Sequence, residues 1–223
     1  MNYNWLEHWE QNHLPFHLNS VNSLLEKYWP RLGILPGAPV LVPLCGKSQD
    51  LLYLAEQGLQ VIGVELSQLA CESFFIENDL AFNKQEICGF TRYYNNQIEL
   101  FCGDFFTLPE NMLPAITAVY DRAALVALPE TLRLRYALQL TKLMTQDSQM
   151  LLIVYDSSDR VEGPPYSVSY LEITQLYGTH FKIKEQERIY KPSEELSQHL
   201  RDKGYNEMYK VIYSFKKQTT HTL

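Results

Sequence analysis

The sequence predicts an α/β fold with a Rossmann-like, doubly wound sheet, and three observations support this class. Short apolar runs alternate along the chain with longer amphipathic segments, as they do in successive βαβ units. A glycine, Gly46, follows the first apolar run, and an acidic residue, Glu65, ends the second. Doubly wound sheets use a turn and an acid at these two points to bind a nucleoside.

The first βαβ unit is the clearest part of the pattern. Residues 40–44 form an apolar run that suits a strand buried on both faces, and Gly46 permits a sharp turn after it. Ser48 is a suitable cap for the helix that follows, and Gly58 is placed to end that helix in a left-handed conformation. The second strand, at residues 61–64, then leads directly into the acid.

The turn also indicates which nucleoside is bound. It contains one glycine where dinucleotide-binding sequences have three, so the backbone cradle for a pyrophosphate is missing. We therefore expect a ligand that carries a ribose without a diphosphate, such as S-adenosylmethionine, with Glu65 accepting hydrogen bonds from the ribose hydroxyls. A nicotinamide-dependent oxidoreductase and a non-catalytic nucleoside sensor remain as alternatives.

The rest of the chain continues the same alternation. Further strands are predicted at residues 98–102, 116–120, 149–155, 181–190 and 208–215, and helices at residues 67–79, 129–144 and 169–177. Five strand–helix steps followed by a closing strand pair predict a seven-stranded sheet. We expect one domain over residues 1–223, in which residues 1–30 form a helical lid with a break at residues 14–15 and a second helix from about Asn19.

Composition limits the possible partners and the compartment. A chain of 223 residues that is 46% hydrophobic can bury one good-sized core, and its net charge of -7 disfavours nucleic acid and anionic membranes as partners. The N-terminus lacks the basic start and apolar stretch of a signal peptide, so we expect a cytoplasmic protein. We also expect a monomer that acts on a small molecule. The four cysteines form no C-x-x-C pair and the histidines are scattered, so we expect reduced thiols and no metal site.

Five motifs follow one another in the order and spacing of one enzyme family. They are PLCGKS at residues 43–48, GVELS at 63–67, GDFF at 103–106, YDRAALVALP at 120–129 and GPP at 163–165. With them, the chain resembles the thiopurine S-methyltransferase family over nearly its whole length. The resemblance implies a class I methyltransferase fold, S-adenosylmethionine as donor with S-adenosylhomocysteine as product, and an aromatic or heterocyclic thiol as acceptor.

The resemblance also implies which residues bind the donor. The family's contacts fall on Trp9, Leu44, Glu65 and Arg122, and Asp104 is placed to accept from the adenine amino group. A helix cap is the alternative role for Asp104, and a structural ion pair is the alternative for Arg122. Arg122 is our candidate catalytic residue, because the family places it where donor and acceptor meet, and a guanidinium there can hold a carboxylate or a thiolate.

The acceptor side rests in part on the same resemblance. The GPP loop follows the fifth strand and is stiffened by two prolines, so we expect it to form one wall of the acceptor pocket, with a plain connecting loop as the alternative. Besides Arg122, the acceptor side is assigned to Phe16, to Pro165 in the GPP loop, and to His199, where some family members carry an arginine. Arg201 lies two residues beyond His199 and is the alternative at that point. The acceptor therefore stays open between an aromatic thiol, a small metabolite thiol and a selenium or tellurium oxyanion.

The N-terminal aromatics are expected to form the lid. The rings of Trp9 and Phe16 are predicted to become buried only when the cleft beneath them is occupied. A lid suits methyl transfer from a sulfonium, because alignment of the two sulfurs and exclusion of water matter more than acid–base groups.

Overall fold

The structure is a computed structural model that describes residues 4–14, 17–159, 161 and 163–218. The chain forms two compact units, Met1–Pro114 and Ala115–Leu223. Among the described residues there are nine strands, five in the first unit and four in the second.

The first unit contains a mixed sheet in the order β3-β4-β5-β2-β1. Its strands are β1 (Pro39–Pro43), β2 (Gln60–Glu65), β3 (Asn83–Ile87), β4 (Phe90–Tyr94) and β5 (Ile98–Cys102), and its helices are α1 (Trp5–Glu10), α2 (Ser23–Tyr28), α3 (Asp50–Glu56) and α4 (Gln68–Glu77). Strand β2 pairs in parallel with β1 and β5, whereas β3, β4 and β5 pair antiparallel. The carboxyl ends of β1, β2 and β5 therefore lie at one edge of this sheet.

The first βαβ unit, β1-α3-β2, forms where the sequence predicts it. The Ser48 hydroxyl accepts a hydrogen bond from the Asp50 N–H at 3.2 Å, so it caps the first turn although the helix begins two residues later. Gly58 has a φ of +79°, which is the left-handed conformation expected after the helix. Two leucines of α3, Leu51 and Leu54, are fully buried and form its apolar face.

The number of strands differs from the prediction. Seven strands were predicted and all seven are present, but β3 and β4 add an antiparallel hairpin that the sequence pattern did not indicate. Strand β3 is polar and mostly exposed, so it lacks the apolar alternation that identifies a strand. Its turn places Cys88 and Gly89 at φ +49° and +82°, a two-residue connection that suits the twist of a hairpin.

The start of the second N-terminal helix is also corrected. Helix α2 begins at Ser23 and not near Asn19, because the Asn22 side chain accepts from the Leu24 N–H at 2.9 Å and caps the helix there. The Asn22 N–H in turn donates to the buried carboxylate of Asp50 at 2.8 Å. This bond ties the segment before α2 to the start of α3.

The second unit has its strands in the order β6-β7-β9-β8. They are β6 (Ile116–Arg122), β7 (Met144–Asp156), β8 (Phe181–Pro192) and β9 (Glu207–Lys217), with helices α5 (Glu130–Leu143), α6 (Tyr170–Tyr177) and α7 (Gln198–Asp202). Strands β6 and β7 are parallel, and β9 pairs antiparallel with β7 and β8. The predicted strands and longer helices are confirmed, and the short helix α7 is additional.

Each unit has an aromatic part in its core. In the first, Phe74 and Phe75 on α4 are fully buried and stack edge to face. In the second, the ring of Tyr177 packs edge to face against Phe181 and Phe215. Within the described residues, no helix is both long and apolar enough to cross a bilayer.

Candidate active site

The Glu65 carboxylate is the centre of the candidate donor site in the first unit. It lies at the carboxyl end of β2, where Oε2 accepts from the Gly46 N–H at 2.9 Å and Oε1 accepts from the Ser67 N–H at 2.8 Å. The side chain is 7% exposed, and this burial raises the pKa of the carboxyl, although the backbone N–H groups act in the opposite direction. The Leu66 N–H also acts on this carboxylate, and its oxygens keep acceptor capacity beyond these backbone bonds.

The turn after β1 brings Gly46 to this carboxylate, and Trp9 of α1 packs against the same glycine. Leu44 and Gly46 both have positive φ angles, +49° and +54°. A Cβ atom on Gly46 would lie 3.2 Å from Cζ2 of Trp9, so the indole ring sits directly over the glycine. The Cys45 N–H donates to the Val64 carbonyl at 3.1 Å and holds the turn beside β2.

Trp9 differs from its prediction in one respect. Its side chain is 5% exposed, so contacts within the protein already bury the ring. The expectation that the ring needs an occupied cleft to become buried is wrong for Trp9. Phe16 and the break at residues 14–15 cannot be compared in the same way, because residues 15 and 16 lie outside the described residues.

Asp104 reaches the same edge of the sheet as Glu65. Strand β5 pairs with β2, and the Gly103 N–H donates to the Glu65 carbonyl at 2.8 Å. Asp104 is exposed, and its Oδ1 accepts from the Phe106 N–H at 2.9 Å, so one oxygen caps a single 3₁₀ turn. The cap is thus present, while a contact of the remaining oxygen with adenine stays a prediction.

In the second unit, Arg122 is the last residue of β6 and begins a tight turn. The next residue, Ala123, has a φ of +64°, which is uncommon for a side chain with a Cβ atom. The neighbouring Asp121 is fully buried: its Oδ2 accepts from the Tyr136 hydroxyl at 2.7 Å and its Oδ1 from the Leu125 N–H at 3.2 Å. Burial raises the pKa of Asp121 to about 6.

No role was predicted for Asp121 or Tyr136. Asp121 is part of the YDRAALVALP motif, and this motif is the sequence signal that could have identified it. Tyr136 lies on helix α5, and a helix pattern does not show which hydroxyl has a buried partner.

The GPP loop carries Pro165 and is held from several sides within the second unit. The Pro165 carbonyl accepts from the Tyr205 hydroxyl at 3.1 Å, and the Tyr166 N–H donates to the Val126 carbonyl at 2.7 Å. The Val168 N–H donates to the Tyr155 carbonyl at 2.8 Å. The loop therefore has a defined shape, as a wall of a binding site requires.

The structure distinguishes between His199 and Arg201, the two candidate acceptor-binding residues near the C-terminus. Arg201 donates to the backbone carbonyls of Ser193 and Leu196, so its guanidinium holds the local turn. His199 lies on the same helix, α7, and is half-buried. Of the two side chains, Arg201 therefore stabilises the local turn through its hydrogen bonds.

A cleft of about 490 Å³ lies elsewhere in the second unit. Its lining includes Arg133, Tyr166 and Glu172, with Arg133 donating to both carboxylate oxygens of Glu172 at 2.7 Å. Neither Arg122 nor Pro165 lines it, so it is distinct from the predicted acceptor residues. In the part of the chain that the structure describes, no three His, Cys, Asp or Glu side chains are grouped to hold a metal ion.

Solved structures share this fold. The chain aligns with magnesium protoporphyrin IX methyltransferase from Synechocystis PCC 6803 with bound S-adenosylmethionine at a TM-score of 0.60 and 16% identity, covering 98% of this chain and 86% of the other. It aligns with Burkholderia thailandensis 1,6-didemethyltoxoflavin-N1-methyltransferase, with its substrate and S-adenosylhomocysteine bound, at a TM-score of 0.56 and 14% identity, covering 88% and 76%. At such identities the similarity shows the fold alone, which is the predicted class I methyltransferase fold.

Sequence comparison identifies the family. The chain is 46% identical to a thiopurine S-methyltransferase of Bordetella pertussis and 44% identical to one of Shewanella baltica, over 81% of this chain and 83% of each relative. The sequence profile of the thiopurine S-methyltransferase family matches residues 1–218. With a match over almost its full length, and the five motifs in place, the chain belongs to the thiopurine S-methyltransferase family.

Proposed function

We propose that this protein transfers the methyl group of S-adenosylmethionine to the sulfur of an aromatic or heterocyclic thiol, thiopurines included. The observation that carries the proposal is the Glu65 carboxylate, which two backbone N–H groups fix at the edge of the sheet beside a glycine turn. In a chain of this family, that arrangement fits the ribose of a nucleoside donor.

The residues of the first unit fit the donor in several ways. The free acceptor positions of Glu65 suit the two ribose hydroxyls, and the exposed carboxylate of Asp104 suits the adenine amino group. Leu44, in a left-handed backbone at the end of β1, presents its peptide groups to the methionine part. The donor, when bound, supplies a methyl group on a positively charged sulfur.

Arg122 is the proposed catalytic residue of the second unit. Its planar guanidinium holds the donor carboxylate or the acceptor thiolate and so orients the reacting groups. No general base is proposed, because heterocyclic thiols are acidic enough to arrive largely as thiolates. The main contribution of the protein is then orientation and the exclusion of water.

We assign the remaining residues to the lid and to the acceptor pocket. Residues 1–30 form the lid of a single domain that comprises residues 1–223, and the position of Trp9 over Gly46 supports a cover on the donor side. Pro165 and His199 contact the acceptor together with Phe16. The hydrogen bond from Tyr205 to the Pro165 carbonyl supports this role by fixing the loop.

The test is a product screen with isotopically labelled donor. Aromatic thiols, aliphatic thiols, and selenium and tellurium oxyanions are offered in parallel to the purified protein and to an Arg122→Ala variant. We expect methylated aromatic thiols from the first protein and little product from the second. Methylation of oxyanions alone would replace the proposed acceptor, and binding of S-adenosylhomocysteine without turnover of any acceptor would indicate a nucleoside sensor.

The proposal also covers the cellular compartment, the class of substrate and the oligomeric state. All four cysteines are free thiols, which supports a reducing compartment such as the cytoplasm. The net charge of -7 supports a small-molecule substrate over nucleic acid or an anionic membrane surface. We propose a monomer, and sedimentation at several concentrations tests it.

A further inference from the structure

We propose that Asp121 and Tyr136 are positioning residues: together they hold the turn at residues 121–125 in the shape that presents Arg122 to the reacting groups. This inference rests on the proposed catalytic role of Arg122. Neither residue touches the donor or the acceptor in this scheme, because both act through the backbone of the turn.

The contacts of Asp121 span the whole turn. Asp121 directly precedes Arg122, and its Oδ1 accepts from the Leu125 N–H at 3.2 Å. Leu125 lies three residues after the arginine. The Ala124 N–H also bonds to this carboxylate. Both ends of the segment that contains Arg122 and the left-handed Ala123 are therefore tied to one carboxylate.

Tyr136 fixes that carboxylate from helix α5. Its hydroxyl donates to Oδ2 at 2.7 Å, a short bond to an ionised acceptor, and both side chains are at most 1% exposed. Oδ1 accepts from the turn and Oδ2 accepts from helix α5, so the rigid helix sets the rotation of the carboxylate. Through this carboxylate, α5 fixes the orientation of the turn.

The cost of this arrangement supports a functional role. Burial disfavours the charged form of Asp121 and raises its pKa to about 6, and two backbone bonds and one hydroxyl compensate only in part. A buried carboxylate that serves only to cap a turn is replaceable by a neutral cap. A buried carboxylate with a raised pKa beside a candidate catalytic arginine is typical of a functional site.

The neighbourhood also offers a matched control. The titratable groups that interact with Asp121 include Tyr136 from α5 and Tyr177 from α6, and Glu172 on α6 interacts in turn with Tyr177. The Tyr177 hydroxyl is buried and has no hydrogen-bond partner among the described residues. Tyr136→Phe and Tyr177→Phe therefore remove the same atom from the same core, but only the first removes a bond to Asp121.

The experiment measures kcat against pH from 5 to 8 for the wild type, Asp121→Asn, Tyr136→Phe and Tyr177→Phe. The acceptor is an electron-poor aryl thiol that is a thiolate throughout, and saturating donor keeps the titration of Glu65 out of kcat. We expect the wild-type kcat to fall below a pH of about 6 and the Asp121→Asn kcat to be at least about tenfold lower without this dependence. Tyr136→Phe should move the midpoint up by about one pH unit, because the anion loses a donor, and Tyr177→Phe should not move it.

A second readout does not depend on turnover. Amide hydrogen exchange at Leu125 should be faster in Asp121→Asn than in the wild type, because a neutral amide oxygen is a weaker acceptor than a carboxylate, with the thermal midpoint recorded for every variant. Tyr136→Phe serves the test if Asp121→Asn does not fold, since it changes a single hydroxyl.

Three results overturn the inference. They are an unchanged kcat and pH profile in Asp121→Asn, unchanged protection of the Leu125 amide, and equal effects of the Tyr136 and Tyr177 variants. A wild type that methylates no thiol refutes the proposed function instead, and the positioning role is then decided by the exchange of the Leu125 amide alone.

Discussion

Substitution of Glu65 by glutamine tests the donor site at its centre. One carboxylate oxygen accepts from the Gly46 N–H at 2.9 Å and the other from the Ser67 N–H at 2.8 Å. A glutamine has the same shape, but one of its two terminal atoms is a donor nitrogen. That nitrogen must face a backbone N–H, so one of the two bonds is lost whichever way the amide is oriented.

The expected effect on donor affinity follows from the acceptors that remain. A ribose hydroxyl opposite the new amide nitrogen loses its charged acceptor, at a cost of about 1.5 kcal/mol, and the hydroxyl opposite the remaining oxygen keeps a weaker bond, at a cost of about 0.5 kcal/mol. The sum of about 2 kcal/mol corresponds to a Kd for S-adenosylhomocysteine that is about 30-fold higher. Isothermal titration calorimetry at pH 7 measures it directly.

Asp50→Asn is the matched control for this prediction. Asp50 is another buried carboxylate of the first unit, 1% exposed, and its Oδ1 accepts from the Asn22 N–H at 2.8 Å. Its neutralisation should change the thermal midpoint and leave donor affinity within about twofold of the wild type. A folded Glu65→Gln protein with wild-type affinity, or equal losses in both variants, would refute the assignment of Glu65 to the ribose.

Three further outcomes are expected. Arg122→Lys should lower kcat for an aromatic thiol by on the order of tenfold with little change in thermal midpoint, because lysine lacks the planar fork; a normal kcat or a protein that unfolds makes Arg122 structural. Gly46→Ala and Gly33→Ala each place alanine in a left-handed backbone, at φ +54° and +64°, but only at Gly46 does the new Cβ meet Trp9, at 3.2 Å. Both should lose about 1 kcal/mol of stability, and calorimetry should show weaker donor binding for Gly46→Ala alone; equal binding contradicts the site. The pKa of Asp121 is about 6 in the folded state and 3.8 in the unfolded state. The folded state therefore binds more protons than the unfolded state between these two pH values. As pH rises through this range, the free energy of unfolding should fall by up to about 3 kcal/mol. Urea denaturation at each pH, with Asp121→Asn as reference, measures this difference, and parallel curves would refute it.

Much of the fold and part of the site were predictable from the sequence because their signals are local. Apolar runs, a capping serine and turn glycines lie next to the elements that they specify, so β1, α3 and β2 form where the pattern predicts. Family motifs named Glu65 and Arg122 for the same reason, since each motif is a short contiguous string. The hairpin β3-β4 was missed because its first strand, β3, is polar and mostly exposed and carries no apolar alternation.

Only the tertiary structure decided how these residues are held. The Gly46 N–H meets Glu65 across 19 residues, and the Tyr136 hydroxyl meets Asp121 across 15. Such bonds depend on which donor the packing of sheet and helix brings within 3 Å of a buried acceptor, and no periodicity of the sequence encodes that distance. The sequence by itself therefore determined most of the elements and the first residues to examine, and the packing determined the burial, the orientation and the partners of each carboxylate.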